Sequence, residues 1–332
     1  MKLWREKQTW VSSKAKSKLE RLSFDNIKSI AVIKHAAFGD LLCTRPLLVT
    51  LRKYFPDAKI TFCAISHYTN GVPEDLVDHV FLAPGKNKPL SIWSRFKAYQ
   101  ELGEHDLLLD VTASTPSFIL SLLNKAKFKI GFQHRNVHKF VYDVAIPRAQ
   151  FKFEAETFLE QLHVLGIQYE LPLDYAMPVN ALSRERPYLV YFPTASKPEK
   201  SWPSDSFTHL INRTATDYPD MEHIILAGIN EWETEYARNI YDTLANHNNV
   251  TFFTGGSESA ALIKGAAALV ANDTGIRHLG IATNTTTIGI FFDTQPFGYW
   301  PRFGGHQIVY EIDGSFPPVE KVIQAIRKVI NK

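Results

Sequence analysis

The sequence contains only two cysteines, Cys43 and Cys63, and no uninterrupted apolar run of the roughly 18 residues that a membrane-spanning helix needs. So few cysteines indicate free thiols in a reducing compartment rather than a disulfide framework. The first residues also lack the apolar core of a secretory signal peptide. Together these absences predict a cytoplasmic protein.

Several functional motifs are absent as well. No GxGxxG follows the first predicted strand, which removes the main support for a dinucleotide dehydrogenase. The chain has no Cys/His metal spacing and no Asp-x-Asp pair, so we predict no metal site and no cofactor. The net charge of +3 is too small for a general nucleic-acid-binding protein, so nucleic acid is not an expected partner.

The charge is nevertheless unevenly distributed, because residues 1–28 form a basic extension. Residues 1–21 contain seven lysines and arginines but only two glutamates, which gives this segment a net charge of +5. Two interpretations remain open. The segment lies on an anionic membrane surface as an amphipathic helix, or it is a solvated tail or a helix packed on its own domain. Its apolar residues could share one helix face: Trp4, Val11, Ala15, Leu19 and Leu22.

The 332 residues, 45% of them apolar, suit two domains with separate cores. Strand and helix patterns alternate in two successive series, which predicts an α/β protein of two Rossmann-like, doubly wound parallel-sheet domains. We place these domains at residues 29–170 and 188–332, with a linker at 171–187. Ligands of such sheets bind at the carboxyl edge. We expect the two edges to face each other across a cleft.

In the first series, Phe38-Gly39-Asp40 follows the first buried strand. Gly39 permits a tight turn, and Asp40 at a strand-to-helix junction is a candidate general base for a substrate hydroxyl. The alternative is that Asp40 is only a helix N-cap.

In the second series, the strand ending at Ala271 turns through Asp273-Thr274-Gly275 into a helix. Free backbone N–H groups and the positive end of the helix dipole then favour a diphosphate at this turn, with His278 on the first helical turn. The alternatives are that Asp273 only caps the helix, that Gly275 only serves the turn, and that His278 is a core histidine.

The loop after the first strand of this series carries Ser196 and Lys200. Hydroxyl groups and a lysine at such a turn are typical of a phosphate cradle, although Lys200 could equally be a solvated surface residue. We expect Ser204 to cap the following helix.

A basic run without acidic residues extends over 125–139. It is a candidate surface for an acidic acceptor, the alternative being a solvated face. Its members are Lys125, Lys127, Lys129, His134, Arg135, His138 and Lys139.

These motifs, in this order and spacing, resemble those of the bacterial heptosyltransferases of glycosyltransferase family 9, which add heptose to the inner core of lipopolysaccharide. The resemblance covers most of residues 29–330. The motifs that carry it are Gly39-Asp40-Leu41 with Thr44, Pro46 and Leu51, Phe55-Pro56, Asp106 to Asp110, Gly131-Phe132, Lys200-Ser201-Trp202-Pro203, Asp273-Thr274-Gly275 with His278, and Thr294-Gln295-Pro296 with Trp300-Pro301.

The resemblance implies a GT-B fold and an inverting, metal-independent transfer from ADP-heptose to an inner-core acceptor, Kdo or heptose on lipid A. It implies action at the cytoplasmic face of the inner membrane, with the donor sugar as a substrate and no cofactor. The second domain would bind the donor and the first the acceptor.

By position, Asp40 resembles the base that deprotonates the acceptor hydroxyl. We assign Glu233, on a later helix of the second domain, to the donor ribose. The other residues implied for the donor are Ser196, Lys200, Asp273, Thr274, Gly275 and His278, and those assigned to the acceptor are Phe38, Gly39, His134 and Arg135.

The chain departs from the family pattern beside the donor pocket. Arg277 replaces a usually small or apolar residue and could contact phosphate or reach the acceptor. Phe292 stands where the family commonly has a glycine, and Asn284-Thr285 stands where the family usually has a Gly-x-Pro pattern. Two alternatives therefore stay open: a family member that uses another nucleotide-activated sugar, and a non-catalytic nucleotide-sugar-binding protein.

Overall fold

The computed structural model describes residues 3–134 and 136–331. The chain divides into two compact units, Met1–Ala176 (unit 1) and Met177–Lys332 (unit 2). The boundary falls inside the predicted linker. Within the described residues, no helix is both long enough and apolar enough to cross a membrane.

The described residues of unit 1 form a seven-stranded sheet in the order β1-β7-β6-β5-β2-β3-β4. The pairs from β2 to β7 are parallel, and β1 joins β7 antiparallel. The strands are β1 (Trp10–Val11), β2 (Ser29–Ile33), β3 (Lys59–Ile65), β4 (His79–Ala83), β5 (Leu107–Asp110), β6 (Phe128–Phe132) and β7 (Val144–Ile146). The helices are α1 (Ala15–Arg21), α2 (Phe38–Leu42), α3 (Arg45–Tyr54), α4 (Ile92–Gln100), α5 (Thr115–Leu123), α6 (His138–Val141) and α7 (Glu154–His163).

Helices cover both faces of this sheet, which is why its central strands are almost purely apolar. Strands β2 and β5 are buried nearly throughout. Helix α5 begins at a capping box, in which the Ser114 hydroxyl accepts from Ser117 N–H and Ser114 N–H donates to the Ser117 hydroxyl.

The sequence predicts one helix from Asp40 to about Tyr54, whereas the structure has two helices, α2 and α3. Pro46 is the second residue of α3 and lacks the N–H that a continuous helix would donate to Leu42. The break leaves α2 as a separate helix of five residues that carries Phe38, Gly39 and Asp40.

The basic N-terminal segment is part of unit 1. Its strand β1 extends the sheet at β7, and Lys18 forms an ion pair with Asp143 at 2.8 Å. Ala15, Leu19 and Leu22 are buried. These three residues therefore pack on their own domain, whereas Trp4 is 56% exposed.

The described residues of unit 2 form a six-stranded parallel sheet in the order β10-β9-β8-β11-β12-β13. Its strands are β8 (Tyr188–Phe192), β9 (Glu222–Leu226), β10 (Val250–Phe253), β11 (Ala268–Asn272), β12 (Thr287–Phe291) and β13 (Gln307–Tyr310). Its helices are α8 (Ser204–Asp217), α9 (Glu231–Asp242), α10 (Ser259–Gly265), α11 (Gly275–Ala282) and α12 (Val319–Ile330).

Both sheets reverse their strand order next to their first long strand. In unit 1, β2 lies between β5 and β3, and in unit 2, β8 lies between β9 and β11. At such a switch point the connections leave towards opposite faces and open a crevice at the carboxyl edge. The loop carrying Asp40 follows β2, and the loops carrying Lys200 and Asp273 follow β8 and β11. Each predicted site thus lies at the switch point of its own sheet.

Candidate functional site

Asp40 is the third residue of α2 and is partly exposed at the carboxyl edge of unit 1. Ala37 occupies the N-cap position of that helix. The interpretation of Asp40 as an N-cap is therefore wrong. A carboxylate in the first helical turn is favoured by the helix dipole. This position suits a group that accepts a proton from a bound hydroxyl.

The neighbours Phe38 and Gly39 shape the loop around that carboxylate. Gly39 is buried, and Phe38 packs so closely against Gly71 that a Cβ there would lie 2.6 Å from Phe38 Cδ2. Gly71 also has a φ of +86°, which a residue with a side chain rarely adopts. Phe38 thereby connects α2 to the loop that follows β3.

The backbone entering this loop is held by neighbouring β5. His35 N–H donates to the Thr112 hydroxyl at 2.9 Å, and that hydroxyl donates to the Ile33 carbonyl. Thr112 N–H in turn donates to the Asp110 carboxyl, whose other oxygen accepts from Tyr142 at 2.6 Å. Asp110 is fully buried, and burial raises its pKa. These bonds fix the path of the chain towards α2.

Sequence reasoning did not find a charged cluster at the same edge. Lys34 directly follows β2 with 3% of its surface exposed, and its Nζ lies 3.5 Å from Glu154 Oε1 and 4.2 Å from the centre of the Phe158 ring. Glu154 also pairs with Arg148. Two cations thus share one carboxylate beside the Asp40 loop. The only sequence signal was a lysine closing a buried strand.

The predicted basic acceptor surface is largely occupied by contacts within unit 1. Lys125 pairs with Glu104 at 3.5 Å, and Lys127 pairs with Asp106 at 2.6 Å. Lys129 donates to the Ser121 carbonyl, and burial lowers its pKa to about 8.

The remaining acceptor candidates lie nearby. The His134 ring stacks on Phe118 at 5.2 Å between ring centres. Arg135 lies outside the described residues. Lys139 is exposed on α6. Residues 125–139 therefore do not form one continuous cationic surface.

In unit 2, buried Asn272 joins the two loops at the switch point. Its amide N–H donates to the Pro193 carbonyl at 2.8 Å, and its oxygen accepts from Trp202 N–H at 3.0 Å. Ala195 N–H donates to the Ser201 hydroxyl. Asn272 thus fixes the loop that carries Ser196 and Lys200 to the end of β11. Its sequence signal was a polar residue ending an apolar strand.

The N-terminus of α11 is open. Thr274 occupies the N-cap position in an extended conformation, and no described side chain caps this end. The alternative that Asp273 caps the helix is therefore wrong. The Thr274 carbonyl accepts the first helical bond from Arg277, and Gly275 and Ile276 precede that bond. Their N–H groups are the donors that a helix start offers to an anion.

Lys200 ends a short 3₁₀ helix, Pro198–Lys200, and forms an ion pair with Asp293 at 2.7 Å. Asp293, with a smaller contribution from Asp273, raises the pKa of Lys200. Ser196 is exposed on the same loop. Sequence reasoning missed Asp293, which follows β12. Ser204 is the first residue of α8, with Pro203 at the N-cap position, so its expected capping role is wrong.

Arg277 is buried, with 1% of its surface exposed. It donates to the Tyr299 carbonyl at 3.0 Å and to Asp273 at 3.3 Å, and it packs over the Phe291 ring. Gly289 makes room for it, since a Cβ there would lie 2.9 Å from Arg277 Cδ. The expectation that Arg277 contacts phosphate or reaches the acceptor is wrong, because its guanidinium is enclosed within unit 2.

The last two donor candidates also make internal contacts. His278 is buried, its Nε2 lies 3.4 Å from Arg277 Nη2, and its ring meets Tyr299 edge-on. Glu233 accepts from Asn230 N–H at 3.3 Å in the first turn of α9. One carboxylate oxygen of Glu233 therefore serves its own helix.

Comparisons with known proteins agree with this architecture. The sequence profile of a family described as glycosyltransferase family 9 (heptosyltransferase) matches residues 95–310, more than half of the chain. The lipopolysaccharide core heptosyltransferase OpsX of Haemophilus influenzae is 25% identical over 290 residues, covering 81% of this chain and 80% of that protein.

Solved structures show the same GT-B fold. The Escherichia coli heptosyltransferase WaaC with ADP-2-deoxy-2-fluoro heptose has a TM-score of 0.73 at 20% identity, covering 90% of this chain and 99% of that one. The Escherichia coli ADP-heptose lipopolysaccharide heptosyltransferase II has a TM-score of 0.67 at 18% identity, covering 91% and 98%.

Proposed function

Because the chain belongs to glycosyltransferase family 9 and is a glycosyltransferase, we propose that it transfers heptose from ADP-heptose to an inner-core acceptor of lipopolysaccharide. The names of its relatives support this donor and this class of acceptor. The acceptor sugar would be Kdo or heptose attached to lipid A. We place the reaction at the cytoplasmic face of the inner membrane, where the lipid anchor of such an acceptor would lie.

The observation that carries the proposal is the uncapped start of α11 close to Lys200. A leaving diphosphate gains negative charge as the glycosidic bond breaks, and preformed N–H donors and an ammonium group stabilise that charge. Gly275 and Ile276 supply the N–H groups, and Lys200 supplies the cation. These groups would let the reaction proceed without a metal ion.

Asp273 fits this anion site because it is paired. An unpaired carboxylate beside the diphosphate would repel it, whereas Arg277 Nη2 lies 3.3 Å from Asp273 Oδ1. The partly exposed carboxylate is then able to accept from donor-sugar hydroxyls. Ser196, Thr274 and His278 would complete the donor contacts, and the second oxygen of Glu233 would accept from the ribose.

In unit 1, Asp40 would remove the proton of the acceptor hydroxyl while that oxygen attacks the anomeric carbon. Attack opposite the departing diphosphate forms the new glycosidic bond, breaks the bond to ADP and inverts the configuration. Phe38 and Gly39 would shape the acceptor side of the loop, and His134 would lie at its margin.

Replacing Asp40 by asparagine tests the assignment, because it removes the base with little change in volume. We expect kcat for transfer to fall about 10²–10⁴-fold, with ADP affinity measured by calorimetry unchanged. Asp57→Asn is the matched control, since Asp57 is an exposed carboxylate of the same unit. Transfer at the original rate in Asp40→Asn would remove Asp40 from the mechanism.

Another nucleotide-activated sugar is the second candidate donor. The observation that favours it is buried Arg277, which determines the positions of Asp273 and of the Tyr299 carbonyl beside the donor site. Competition between ADP-heptose and other ADP-sugars for transfer would distinguish the two donors.

A further inference from the structure

Exposed apolar side chains cluster at one edge of unit 1. Helix α4 packs beside α5 and α5 beside α6. Exposed apolar residues lie on or just before α4 and α6, and Ile119 and Leu122 of α5 are exposed as well. Ile92, Trp93 and Phe140 expose 86%, 77% and 82% of their surfaces. Apolar surface of this kind marks an interaction site. We call the set the apolar rim: Leu90, Ile92, Trp93, Phe96, Val137 and Phe140.

The apolar rim lies at the carboxyl edge of the unit 1 sheet. The segments 84–93 and 133–140 follow β4 and β6, just as the Asp40 loop follows β2. Since β4 and β6 are four strand spacings apart in the sheet, the two ends of the rim are separated by roughly 20 Å. The Asp40 loop emerges between them. A surface that covers both ends would therefore flank the proposed acceptor site.

The charged residues in the two segments that carry the rim are all basic. Residues 84–100 contain Lys86, Lys88, Arg95 and Lys97 and no acidic residue, and residues 111–142 contain none either. Lys86, Lys88, Lys97 and Lys139 are exposed and form no ion pair within the described part of the chain. Exposed aromatic and aliphatic groups among unpaired lysines complement a surface that has an anionic outer layer over an apolar interior.

We propose that the apolar rim docks unit 1 on an anionic lipid bilayer, with Trp93 and Phe140 inserted among the lipid headgroups. Tryptophan and phenylalanine partition into that layer, and lysines are attracted by its negative potential. The proposal deepens the proposed function, because a lipid-linked acceptor would then reach the Asp40 edge directly. It also moves the proposed membrane contact from residues 1–21 to the rim, since Ala15, Leu19 and Leu22 of that segment are buried.

A second copy of the chain fits the rim less well. In a two-fold dimer the same patch contacts itself, so lysines of one rim would face lysines of the other without acidic partners. A bilayer of anionic lipids supplies the missing negative charge.

The test is co-sedimentation of the full chain with phosphatidylglycerol vesicles and with neutral phosphatidylcholine vesicles. We expect the double variant Trp93→Ala, Phe140→Ala to bind the anionic vesicles about tenfold less or weaker still. Ile229→Ala, Ile312→Ala is the matched control, because both isoleucines are highly exposed in unit 2. Equal binding by the rim variant, or equal loss in the control, would overturn the proposal.

A second pair of variants separates the rim from the N-terminal segment. Lys86→Gln, Lys88→Gln, Lys97→Gln should weaken vesicle binding and flatten its salt dependence, whereas Lys7→Gln, Lys14→Gln, Lys16→Gln should leave both unchanged. Loss of binding only in the N-terminal variant would return the membrane contact to residues 1–21.

Folding and assembly are checked on the same samples. The rim residues are exposed, so the melting temperature should be unchanged. Sedimentation velocity should give the same mass for wild type and rim variant, and a dimer lost only in the variant would make a second copy the occupant. Transfer to an acceptor without acyl chains should be unaffected by the rim substitutions. Vesicle binding needs no turnover, so its failure is distinct from failure of the proposed reaction.

Discussion

Lys200 is a proposed phosphate ligand that already has a partner. Its Nζ lies 2.7 Å from Asp293, and both side chains are partly exposed. A diphosphate would therefore have to compete with Asp293 for this ammonium group. The pair keeps Lys200 charged, since the carboxylate raises its pKa, and it holds the side chain at the switch point. The same contact reduces the net attraction for the donor.

We predict that Asp293→Asn strengthens ADP binding by up to about fivefold, the range expected for breaking a partly exposed ion pair. Lys200→Ala should weaken ADP binding measurably, and the double variant should resemble Lys200→Ala. Lys197→Ala is the control, because Lys197 is an exposed lysine on the same loop. Calorimetry measures all four. Weaker ADP binding in Asp293→Asn would show that Asp293 assists the donor instead of competing with it.

Single residues show where sequence reasoning reached its limit. Lys200 and Asp273 could be located from the strand-turn-helix patterns around them. Asp293 and Asn272 could not, because their partners lie 93 and 70 positions away in the sequence, and only the sheet order brings them together. Arg277 was noticed as a departure from the family pattern. Its burial depends on the space above Gly289, which no local pattern reveals.

Helices and strands could be predicted from the sequence where apolar residues recur periodically over many positions. The final helix, Val319–Ile330, is predictable with these bounds, because its apolar residues recur at helical spacing. Short elements were missed: β1 has two residues, β7 has three and α6 has four. Such segments have too few residues to show a period, and their structure comes from pairing and packing with distant parts of the chain. Pro46 was the overlooked signal for the break between α2 and α3.

His306, which lies just before β13 and contacts β12, should make the free energy of unfolding depend on pH. His306 Nδ1 accepts from Thr287 N–H at 3.1 Å, and burial, aided by the charge of Arg277, lowers the pKa of His306 to about 4. An unfolded histidine titrates near 6.5. Between these values the unfolded chain binds a proton that the folded chain does not. The free energy of unfolding should therefore fall as the pH drops from 6.5 towards 4.

For His306 alone we expect a loss of about 2 kcal/mol between pH 7 and pH 5. His306→Asn should remove this part of the pH dependence, because the amide oxygen still accepts from Thr287 but does not titrate. His209→Asn, at an exposed position on α8, is the control. Urea unfolding at both pH values measures the difference. Identical pH slopes in wild type and His306→Asn would show that this histidine does not couple to folding.

At the scale of the molecule, the two units repeat one plan. Each has a mainly parallel sheet, a switch point beside its first long strand and loops with the proposed site residues at the carboxyl edge. The alternation of strand and helix patterns was enough to predict this plan. Packing of the basic N-terminal segment on its own domain was one of the alternatives that the sequence left open, but strand β1 was not predicted, because it pairs with a strand more than 130 positions later. Pairing at that distance has no local signal.

We propose that unit 2 binds the donor, and nucleotide binding to the full chain tests this assignment. ADP at 100 times its Kd should stabilise the folded state by about 2.7 kcal/mol. Hydrogen exchange should then slow in the segments 193–203 and 272–278, which contain the cradle loop and the start of α11. Exchange in residues 34–42 of unit 1 should not respond to ADP alone. UDP and GDP at equal concentration are the controls for the base. Slower exchange only in unit 1 would reverse the assignment of donor and acceptor units, and stronger stabilisation by UDP or GDP would exclude ADP-heptose as the donor.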